Sequence, residues 1–389
     1  MLVRFWAAAL ALGSLMIGIG CGGSSGSTRQ GFPPEMTAEA SRQIEAFLTV
    51  GLAPGTIVSV SSPQGTWTKA FGVSNTATGE KMRTDMAFRI GSVTKTFTAQ
   101  VILLLAQDGL LALDDPISDH LSGVPRGDEV TIRMMASMNS GIPSYSKNPE
   151  FVDLLLGDWV RTWQPQELPP YGYELDFPFD PNEGFDYSNT NTVLLGLLIE
   201  KIENKPLAQV FQERIFNPLG LTRTSFPSTN QMPAPFAHGY SSQNSANRYE
   251  DATFYSPSWG FSAGQLISTI EDLNVYAKSL GTGSLMSPQM MQERLKWRDV
   301  PPMSPLLHYA FGMVYVSGWL GHTGELPGYN TACYYNPSIQ ASIVVMTNSD
   351  RDFEHRAPAV VLLERMSKIF FPAHEIDYVN PIDPDEIVD

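Results

Sequence analysis

The sequence predicts an α+β protein in which strands from both ends of the chain form one antiparallel sheet around an inserted helical domain. Strand-like segments occupy residues 56–73 and return at 309–347, and the chain between them is mostly helical and loop-like. Strands joined by short turns must pair antiparallel. We therefore expect the sheet to be formed by about 38–100 and 250–372, with a helical part at about 101–249.

The N-terminal strands are predicted from the alternation of apolar and polar residues. The helix after them is predicted from a change to helical spacing of the apolar residues. Residues 56–61 alternate apolar and polar side chains, a Pro- and Gly-containing turn follows, and residues 66–73 return as a second strand. Residues 86–90 form a third short apolar run. From Ser92 the apolar residues recur at helical spacing, and Gly109 is expected to cap that helix.

The rest of the chain alternates between irregular and regular segments. Residues 163–185 are rich in Pro and aromatic residues, and a loop of this length often forms the wall or lid of a site. Residues 191–205 form the clearest helix, residues 353–371 a closing helix, and the acidic residues 373–389 a solvated tail. The C-terminal strands are expected at 309–316, 319–323, 329–335 and 342–347.

The first residues have the composition of an export signal. Arg4 precedes an apolar run, so residues 1–20 are predicted to be a removed secretory signal, and the Gly- and Ser-rich residues 21–37 a flexible tether. Cys21 resembles the lipid-attachment site of a bacterial lipoprotein; ordinary cleavage nearby without lipid is the alternative. We expect an exported protein that is either lipid-anchored on the outer face of the cell membrane or secreted or periplasmic.

Charge and cysteine content exclude several classes of protein. The 389 residues have 25 Lys+Arg against 40 Asp+Glu and a formal net charge of −15, which argues against a nucleic-acid partner. Two cysteines cannot form a disulfide scaffold, and no cluster has metal-ligand spacing, so no cofactor is expected. Cys333, among small apolar neighbours, is expected to be buried.

A serine and a lysine three positions apart begin the first predicted helix. This spacing places Ser92 and Lys95 on one helical face. A serine hydroxyl is a weak nucleophile until a neighbouring group accepts its proton or stabilises its anion, and a lysine one turn away can do both. Taken alone, the pair fits a helix-capping serine and a surface lysine better.

Two further short motifs offer polar groups suited to acyl transfer. In Tyr187-Ser188-Asn189, the tyrosine can transfer a proton and the asparagine can bind a substrate amide; a packing anchor with a capping asparagine is the alternative. In His322-Thr323-Gly324, the glycine lets a substrate backbone lie close to the strand; a tight turn with a solvated histidine is the alternative.

Taken in order, the three motifs resemble those of the serine β-lactamase and penicillin-binding-protein family, and more specifically its class C branch. That branch includes class C β-lactamases, D-alanyl-D-alanine carboxypeptidases, D-amino-acid-specific peptidases and related esterases. The resemblance covers residues 38–371, implies the β-lactamase/DD-peptidase fold, and defines a hydrolase domain at 38–372. Other similar stretches are Phe88-Arg89-Ile90-Gly91, Asn139-Ser140-Gly141-Ile142-Pro143, Asp186-Tyr187-Ser188-Asn189-Thr190-Asn191 and Ser262-Ala263-Gly264.

The resemblance also implies catalytic roles. Ser92 would be the nucleophile that forms an acyl-enzyme, and Lys95 and Tyr187 would share the general-base work and protonate the leaving group. Asn189 would hold the substrate amide, and His322 would supply electrostatics near Tyr187.

The remaining implied roles concern substrate binding. Thr323 and Gly324 would line the substrate strand, and the backbone N–H groups of Ser92 and Glu325 would form the oxyanion hole. Trp259 matches an aromatic substrate wall of carboxypeptidase relatives.

A second serine motif competes with the first. Ser262 lies in a G-x-S-x-G pattern typical of the α/β-hydrolase nucleophile elbow, with downstream histidines at His308, His322 and His355. The elbow requires a preceding strand of a parallel sheet, but residues 251–259 are broken by Ser-Pro and the later strands are antiparallel. We therefore favour a Gly-rich turn before a helix at 265–279.

The lead function is an exported D-alanyl-D-alanine carboxypeptidase-like peptidase that acts on cell-wall-type peptides, including peptidoglycan stem peptides, with β-lactams as acylating inhibitors. An esterase or a D-amino-acid amidase or β-lactamase-like hydrolase is the same-class alternative, and a non-catalytic penicillin-binding sensor is the different-class one. Against the lead, residues 311–321 contain no Lys or Arg, and Glu325 stands where relatives often carry a small hydroxyl residue that helps hold a carboxylate.

Overall fold

The computed structural model describes residues 31–243, 249–297, 307–353 and 356–377. The expected signal, Cys21 and most of the tether lie outside the described residues, as does most of the acidic tail. The first helix begins at Pro34, inside the stretch predicted as tether. At the other end, Ile376 is buried and its backbone N–H donates to Ser367, so the start of the tail packs on the body.

The helices and strands follow one another from residue 34 to residue 370. The helices are α1 (Pro34–Thr49), α2 (Thr94–Gln107), α3 (Ile132–Ala136), α4 (Pro149–Gly157), α5 (Leu168–Tyr173), α6 (Asn189–Glu203), α7 (Leu207–Phe211), α8 (Asn217–Leu219), α9 (Phe261–Gly264), α10 (Ile270–Thr282), α11 (Pro288–Arg294) and α12 (Pro358–Phe370). The strands are β1 (Gly55–Ser62), β2 (Gly65–Asn75), β3 (Glu80–Lys81), β4 (Phe88–Arg89), β5 (Tyr240–Ser241), β6 (Glu250–Asp251), β7 (Ile267–Ser268), β8 (Leu307–Ala310), β9 (Met313–Val316), β10 (Trp319–Leu326), β11 (Tyr329–Asn336) and β12 (Ala341–Thr347).

Eight of these strands form one antiparallel sheet in the order β3-β2-β1-β12-β11-β10-β9-β8. The N-terminal and C-terminal strands join where β1 pairs with β12, with Val58 opposite Val345. The prediction that N-terminal and C-terminal strands share one antiparallel sheet flanked by helices is thereby confirmed.

Helices cover both faces of this sheet, and the alternation along β1 sorts its side chains between them. Ile57 packs in the core shared with α2 and α10, whereas Val58 and Val60 pack in the core shared with α1 and α12. Successive strand residues point to opposite faces, so β1 is buried on both sides, and its buried polar residues Thr56 and Ser59 are hydrogen-bonded to the Met346 carbonyl oxygen and to Thr68. Helix α2 lies between the helical region and the sheet, and it contacts both.

Several predicted elements differ from the observed ones. The segment 163–185, predicted as an irregular loop, contains the short helix α5, and the helix predicted at 265–279 is α10, which begins only at Ile270. The strand expected at 309–316 is a hairpin of β8 and β9, because Gly312 adopts a left-handed conformation at φ +68° that reverses the chain. The run at 86–90 contributes only β4, which pairs with β7 outside the large sheet. The closing helix begins at Pro358 rather than at 353, with proline in its first turn. Within the described parts of the chain, no helix is long and apolar enough to cross a membrane.

Candidate active site

Ser92 lies in a 3₁₀ turn, Gly91–Val93, that leads directly into α2. The turn is pressed against the backbone of β10. A Cβ on Gly91 would meet the backbone of Glu325 at 2.4 Å, and one on Gly324 would lie 3.0 Å from the backbone nitrogen of Ser92. Glycine is therefore required on both sides of this contact. The contact brings the backbone N–H groups of Ser92 and Glu325, the predicted oxyanion hole, to the same place.

Lys95 lies in the first turn of α2 and faces the serine. Its Nζ is 2.9 Å from Ser92 Oγ and 3.0 Å from the Ala263 carbonyl oxygen. The side chain is only 1% exposed, and burial lowers the pKa of its amine well below the ordinary 10.5. No ion pair joins Lys95 to a carboxylate among the described residues. Because a buried ammonium without a counter-charge is costly, the environment favours the neutral amine, which is able to accept a proton.

Tyr187 follows the long loop and reaches the same place from the helical region. Lys95 Nζ lies 4.7 Å from the centroid of its ring. The ring also contacts Tyr309, at a centroid distance of 6.0 Å, and His322, at 6.1 Å. Residues of three motifs far apart in sequence thus lie close together.

His322 is 3% exposed and hydrogen-bonded at both ring nitrogens. Its Nδ1 faces the Thr323 carbonyl oxygen, which can only accept, so Nδ1 carries the proton and Nε2 accepts from the Tyr309 hydroxyl at 3.2 Å. Burial and the nearby Lys95 lower the pKa of His322 to about 3. The imidazole is therefore neutral at ordinary pH, and the electrostatic role expected of His322 is that of a dipole and hydrogen-bonding group, not that of a cation.

Asn189 is the first residue of α6, and two serines hold it. Its backbone N–H donates to Ser144 Oγ at 3.0 Å, and its Nδ2 donates to Ser146 Oγ at 3.0 Å. The side chain is half-buried at the edge of the cleft. The sequence reasoning missed Ser144, Ser146 and Tyr309. Only the two serines had a signal, namely their place just after the Asn139–Pro143 stretch.

Glu325 sits at the end of the strand, next to the serine turn. Its side chain is exposed to the cleft, and its Oε2 accepts from Asn330 Nδ2 at 3.1 Å. Asn330 is itself held by the backbone N–H of Ala359, at the start of α12. Desolvation of the carboxyl group, together with the charges of Asp352 and Asp350, raises its pKa well above 4.5.

Trp259, predicted as an aromatic substrate wall, lies near the end of β10. It is partly exposed, and its carbonyl oxygen accepts from the hydroxyl of Tyr145. It lines a small cavity together with Leu326, the residue after Glu325. An aromatic wall therefore stands beside the end of β10.

Ser262, the alternative nucleophile, is fully buried in α9. Its Oγ donates to the Thr192 carbonyl oxygen at 2.8 Å, and a Cβ on Gly196 would collide with it, so it packs α9 against α6. The preceding chain is not a strand of a parallel sheet, which excludes the nucleophile-elbow setting; His355 lies outside the described residues. Cys333 is buried and burial raises the pKa of its thiol to about 12, so its prediction as a packing residue is confirmed.

No group of three or more potential metal ligands occurs in the described portions of the chain. The chemistry available here is that of the serine, the lysine, the tyrosine and two converging backbone N–H groups.

Comparison with known proteins agrees with this architecture. The chain is 27% identical over 348 residues to Protein flp of Staphylococcus aureus (strain N315), which covers 84% of this chain and 67% of that one. It is 25% identical over 336 residues to Penicillin-binding protein 4* of Bacillus subtilis (strain 168), covering 77% and 69%. The solved structure of a D-stereospecific amidohydrolase from Streptomyces sp. is similar with a TM-score of 0.78 and 28% identity, over 86% of this chain and 98% of that one.

The model of the beta-lactamase family matches residues 41–365, which contain every element of the cleft described above. This match and the shared fold show that the chain belongs to the beta-lactamase family of serine hydrolases.

Proposed function

We propose that this serine hydrolase forms an acyl-enzyme at Ser92 and cleaves amides of D-amino-acid type whose leaving group carries no carboxylate. The observation that carries the proposal is the buried amine of Lys95, 2.9 Å from Ser92 Oγ and without an acidic partner among the described residues. Burial favours its neutral form, and a neutral amine at this distance suits the removal of the serine proton.

The acylation step follows from these positions. Ser92 Oγ attacks the substrate carbonyl carbon while its proton passes to Lys95. The backbone N–H groups of Ser92 and Glu325 bind the resulting oxyanion. The tetrahedral intermediate then expels the amine, which receives a proton through Lys95 and Tyr187. Water attacks the ester carbonyl, its proton returns along the same groups, and the acid is released with Ser92 restored.

The leaving-group preference rests on Glu325. Glu325 offers no positive charge to a substrate that ends in a carboxylate, and in its ionised form it repels such a substrate, because like charges at short range repel. Residues 311–321 offer no Lys or Arg to compensate. A neutral leaving group is not repelled by Glu325 and does not need a cation to bind. The name of the Streptomyces relative, a D-stereospecific amidohydrolase, supports a D-configured amide.

A carboxypeptidase-like peptidase acting on peptidoglycan stem peptides is the second candidate. Its support is the similarity to Penicillin-binding protein 4*, at 25% identity over 336 residues. In either case we propose export, with β-lactams as acylating agents of Ser92. The support for export is the apolar run within residues 1–20 and for lipid anchoring the position of Cys21, both from sequence alone.

The decisive experiment is a turnover panel on wild type and Ser92→Ala. The substrates are a D-amino-acid amide, an acyl-D-Ala-D-Ala peptide, a p-nitrophenyl ester and nitrocefin. We expect the amide to be hydrolysed with a higher kcat/KM than the peptide, and all turnover to disappear in Ser92→Ala. Faster turnover of the peptide would establish the second candidate, and turnover of the ester alone would contradict both.

A labelling experiment separates an enzyme from a sensor. A fluorophosphonate or labelled penicillin should modify wild type and not Ser92→Ala. Stable labelling without turnover of any substrate in the panel would identify a penicillin-binding sensor and contradict the proposed function.

A further inference from the structure

Met138 follows the C-terminal end of α3 in a backbone conformation that favours glycine. Its φ is +58°. Its backbone N–H donates to the Met135 carbonyl oxygen at 3.3 Å, and that of Asn139 donates to the Met134 carbonyl oxygen at 3.0 Å, which is the hydrogen-bond pattern of a Schellman motif. Glycine usually occupies this position and asparagine sometimes does, because the Cβ of other residues comes close to the following carbonyl oxygen. A methionine here therefore needs compensating interactions.

Two hydrogen bonds to Met138 come from the residues on either side of Tyr187. The Met138 carbonyl oxygen accepts from the backbone N–H of Asp186 at 3.0 Å. Its Sδ accepts from the backbone N–H of Ser188 at 3.5 Å. A thioether sulfur is a weak acceptor, but this one takes up a buried N–H group that would otherwise have lost its hydration. One residue thus holds the backbone both before and after the catalytic tyrosine.

Further hydrogen bonds fix Met138 and its neighbours in this conformation. The Met138 side chain is buried, and its Sδ also accepts from Asn191 Nδ2 at 3.8 Å. The Oδ1 of the same asparagine accepts from Ser140 Oγ at 2.7 Å. The Asn139 carbonyl oxygen accepts from the backbone N–H of Asn182 at 2.8 Å. A left-handed residue other than glycine persists only where its surroundings determine it in this way, and such residues cluster at functional sites.

We propose that Met138 is a positioning residue for Tyr187, and that its carbonyl oxygen and sulfur hold the tyrosine where it can exchange a proton with Lys95. The catalytic part of this role rests on the proposed function, in which Tyr187 and Lys95 share proton transfer. Lys95 Nζ lies 4.7 Å from the centroid of the Tyr187 ring. Proton transfer requires hydrogen-bond distances, so a small displacement of the Tyr187 backbone lowers its rate. Met138 acts through Tyr187 and not on the substrate.

Two substitutions of Met138 separate positioning from packing. Met138→Leu keeps the apolar volume but removes the acceptor atom. Met138→Asn loses volume, but it tolerates the left-handed conformation and carries an acceptor, Oδ1, at the same distance along the side chain as Sδ. We expect kcat for a D-amino-acid amide to fall about tenfold in Met138→Leu, with KM within about twofold, and to fall less in Met138→Asn. A packing role predicts the reverse order, and a lower kcat in Met138→Asn than in Met138→Leu overturns the proposal.

A double-mutant cycle tests whether the effect passes through Tyr187, and it does not depend on the folding of Met138→Asn. In a Tyr187→Phe background, Met138→Leu should lower kcat by less than about twofold, because the hydroxyl whose position matters is already absent. Met135→Leu is the matched control, since Met135 is a buried methionine of α3, and it should leave kcat within about twofold of its parent in both backgrounds. Equal losses from Met138→Leu in the two backgrounds would show that Met138 acts independently of Tyr187, against the proposal.

Tyrosine NMR reports the position of Tyr187 without any turnover. The protein is labelled with ¹³C at the tyrosine ring Cζ, and the Tyr187 signal is assigned by its loss in Tyr187→Phe. We expect Met138→Leu to shift or broaden this signal and Met135→Leu to leave it unchanged. The same shift in a protein that hydrolyses none of the panel substrates would contradict the proposed function and support the positioning. An unchanged Tyr187 signal in Met138→Leu overturns the positioning, whatever the activity.

Discussion

A shift toward neutral side chains has opposite consequences on the two sides of the cleft. On the nucleophile side (Ser92, Lys95 and Tyr187), a cationic residue is buried against the serine and its positive form is disfavoured. On the strand side (His322–Glu325), the histidine is held neutral and the only acid is one whose ionisation is also disfavoured. Groups that could carry charge in water are thus shifted toward neutrality on both sides. The nucleophile side gains a base from this shift, whereas the strand side loses the cation that would bind a substrate carboxylate.

The largest expected effect is on the nucleophile itself. Ser92→Ala should lower kcat/KM by at least about 10⁴-fold, because the acyl-enzyme can no longer form. Ser262→Ala is the control, since it removes the hydroxyl of the alternative serine, which is fully buried and donates to a backbone carbonyl. It should lower stability by about 1 kcal/mol and leave kcat within a few-fold. A severe loss of activity only in Ser262→Ala would reverse the assignment.

Substitution of Lys95 should change activity and stability in opposite directions. Lys95→Met removes the base and should lower kcat by about 10³-fold, yet increase the free energy of unfolding by about 1 kcal/mol or more, because a poorly paired polar group leaves the core. The gain should grow as pH falls below 10.5, since the unfolded wild type then binds a proton that the folded state excludes. Chemical denaturation at several pH values measures this. A uniform loss of stability in Lys95→Met would show that the ammonium is well accommodated.

On the strand side, His322 should be the main cause of the loss of folding stability at low pH. Its pKa is about 3 in the folded protein against 6.5 ordinarily, so below pH 6.5 the unfolded state binds a proton that the folded state does not. Stability should therefore fall as pH is lowered from 6.5 toward 3, by up to about 4 kcal/mol from this residue. His322→Asn should show a correspondingly shallower fall. Parallel stability curves for the two proteins would refute the neutral, desolvated histidine.

Glu325 should set the preference between leaving groups. Glu325→Gln keeps the shape and the hydrogen bond to Asn330 while removing the acid, so turnover of a D-Ala-D-Ala peptide should rise about tenfold relative to a D-amino-acid amide. The ratio of the two kcat/KM values is the measurement. Glu183→Gln, an exposed acid on the loop, should leave the ratio unchanged. An unchanged ratio in Glu325→Gln would exclude this carboxyl group as the determinant.

The smallest effect is expected from Tyr309. Tyr309→Phe removes only the hydroxyl that donates to His322 Nε2, and should lower kcat several-fold by loosening the imidazole. Tyr335→Phe serves as the control, because that ring packs against Gly281 of α10. A full loss of activity in Tyr309→Phe would mean that Tyr309 has a larger role than holding the histidine.

Local patterns predicted the sheet well. Apolar, β-branched runs such as β12 and the helical spacing of apolar residues after Ser92 mark a buried strand and a buried helix, and both patterns are visible within a single segment. The same patterns misplaced local details. Residues 309–316 were predicted as one strand but form a hairpin. Gly312 reverses the chain there through its backbone conformation, which a pattern of hydrophobic residues does not reveal.

What the sequence determined by itself is the set of reacting groups: the spacing of Ser92 and Lys95 places them on one helical turn whatever surrounds them. Tertiary structure decided their charge states. The pKa values of Lys95 and of His322 depend on neighbours distant in sequence, such as Ala263 beside Lys95 and Lys95 beside His322. Desolvation and pairing are sums over those neighbours, so no local pattern encodes them.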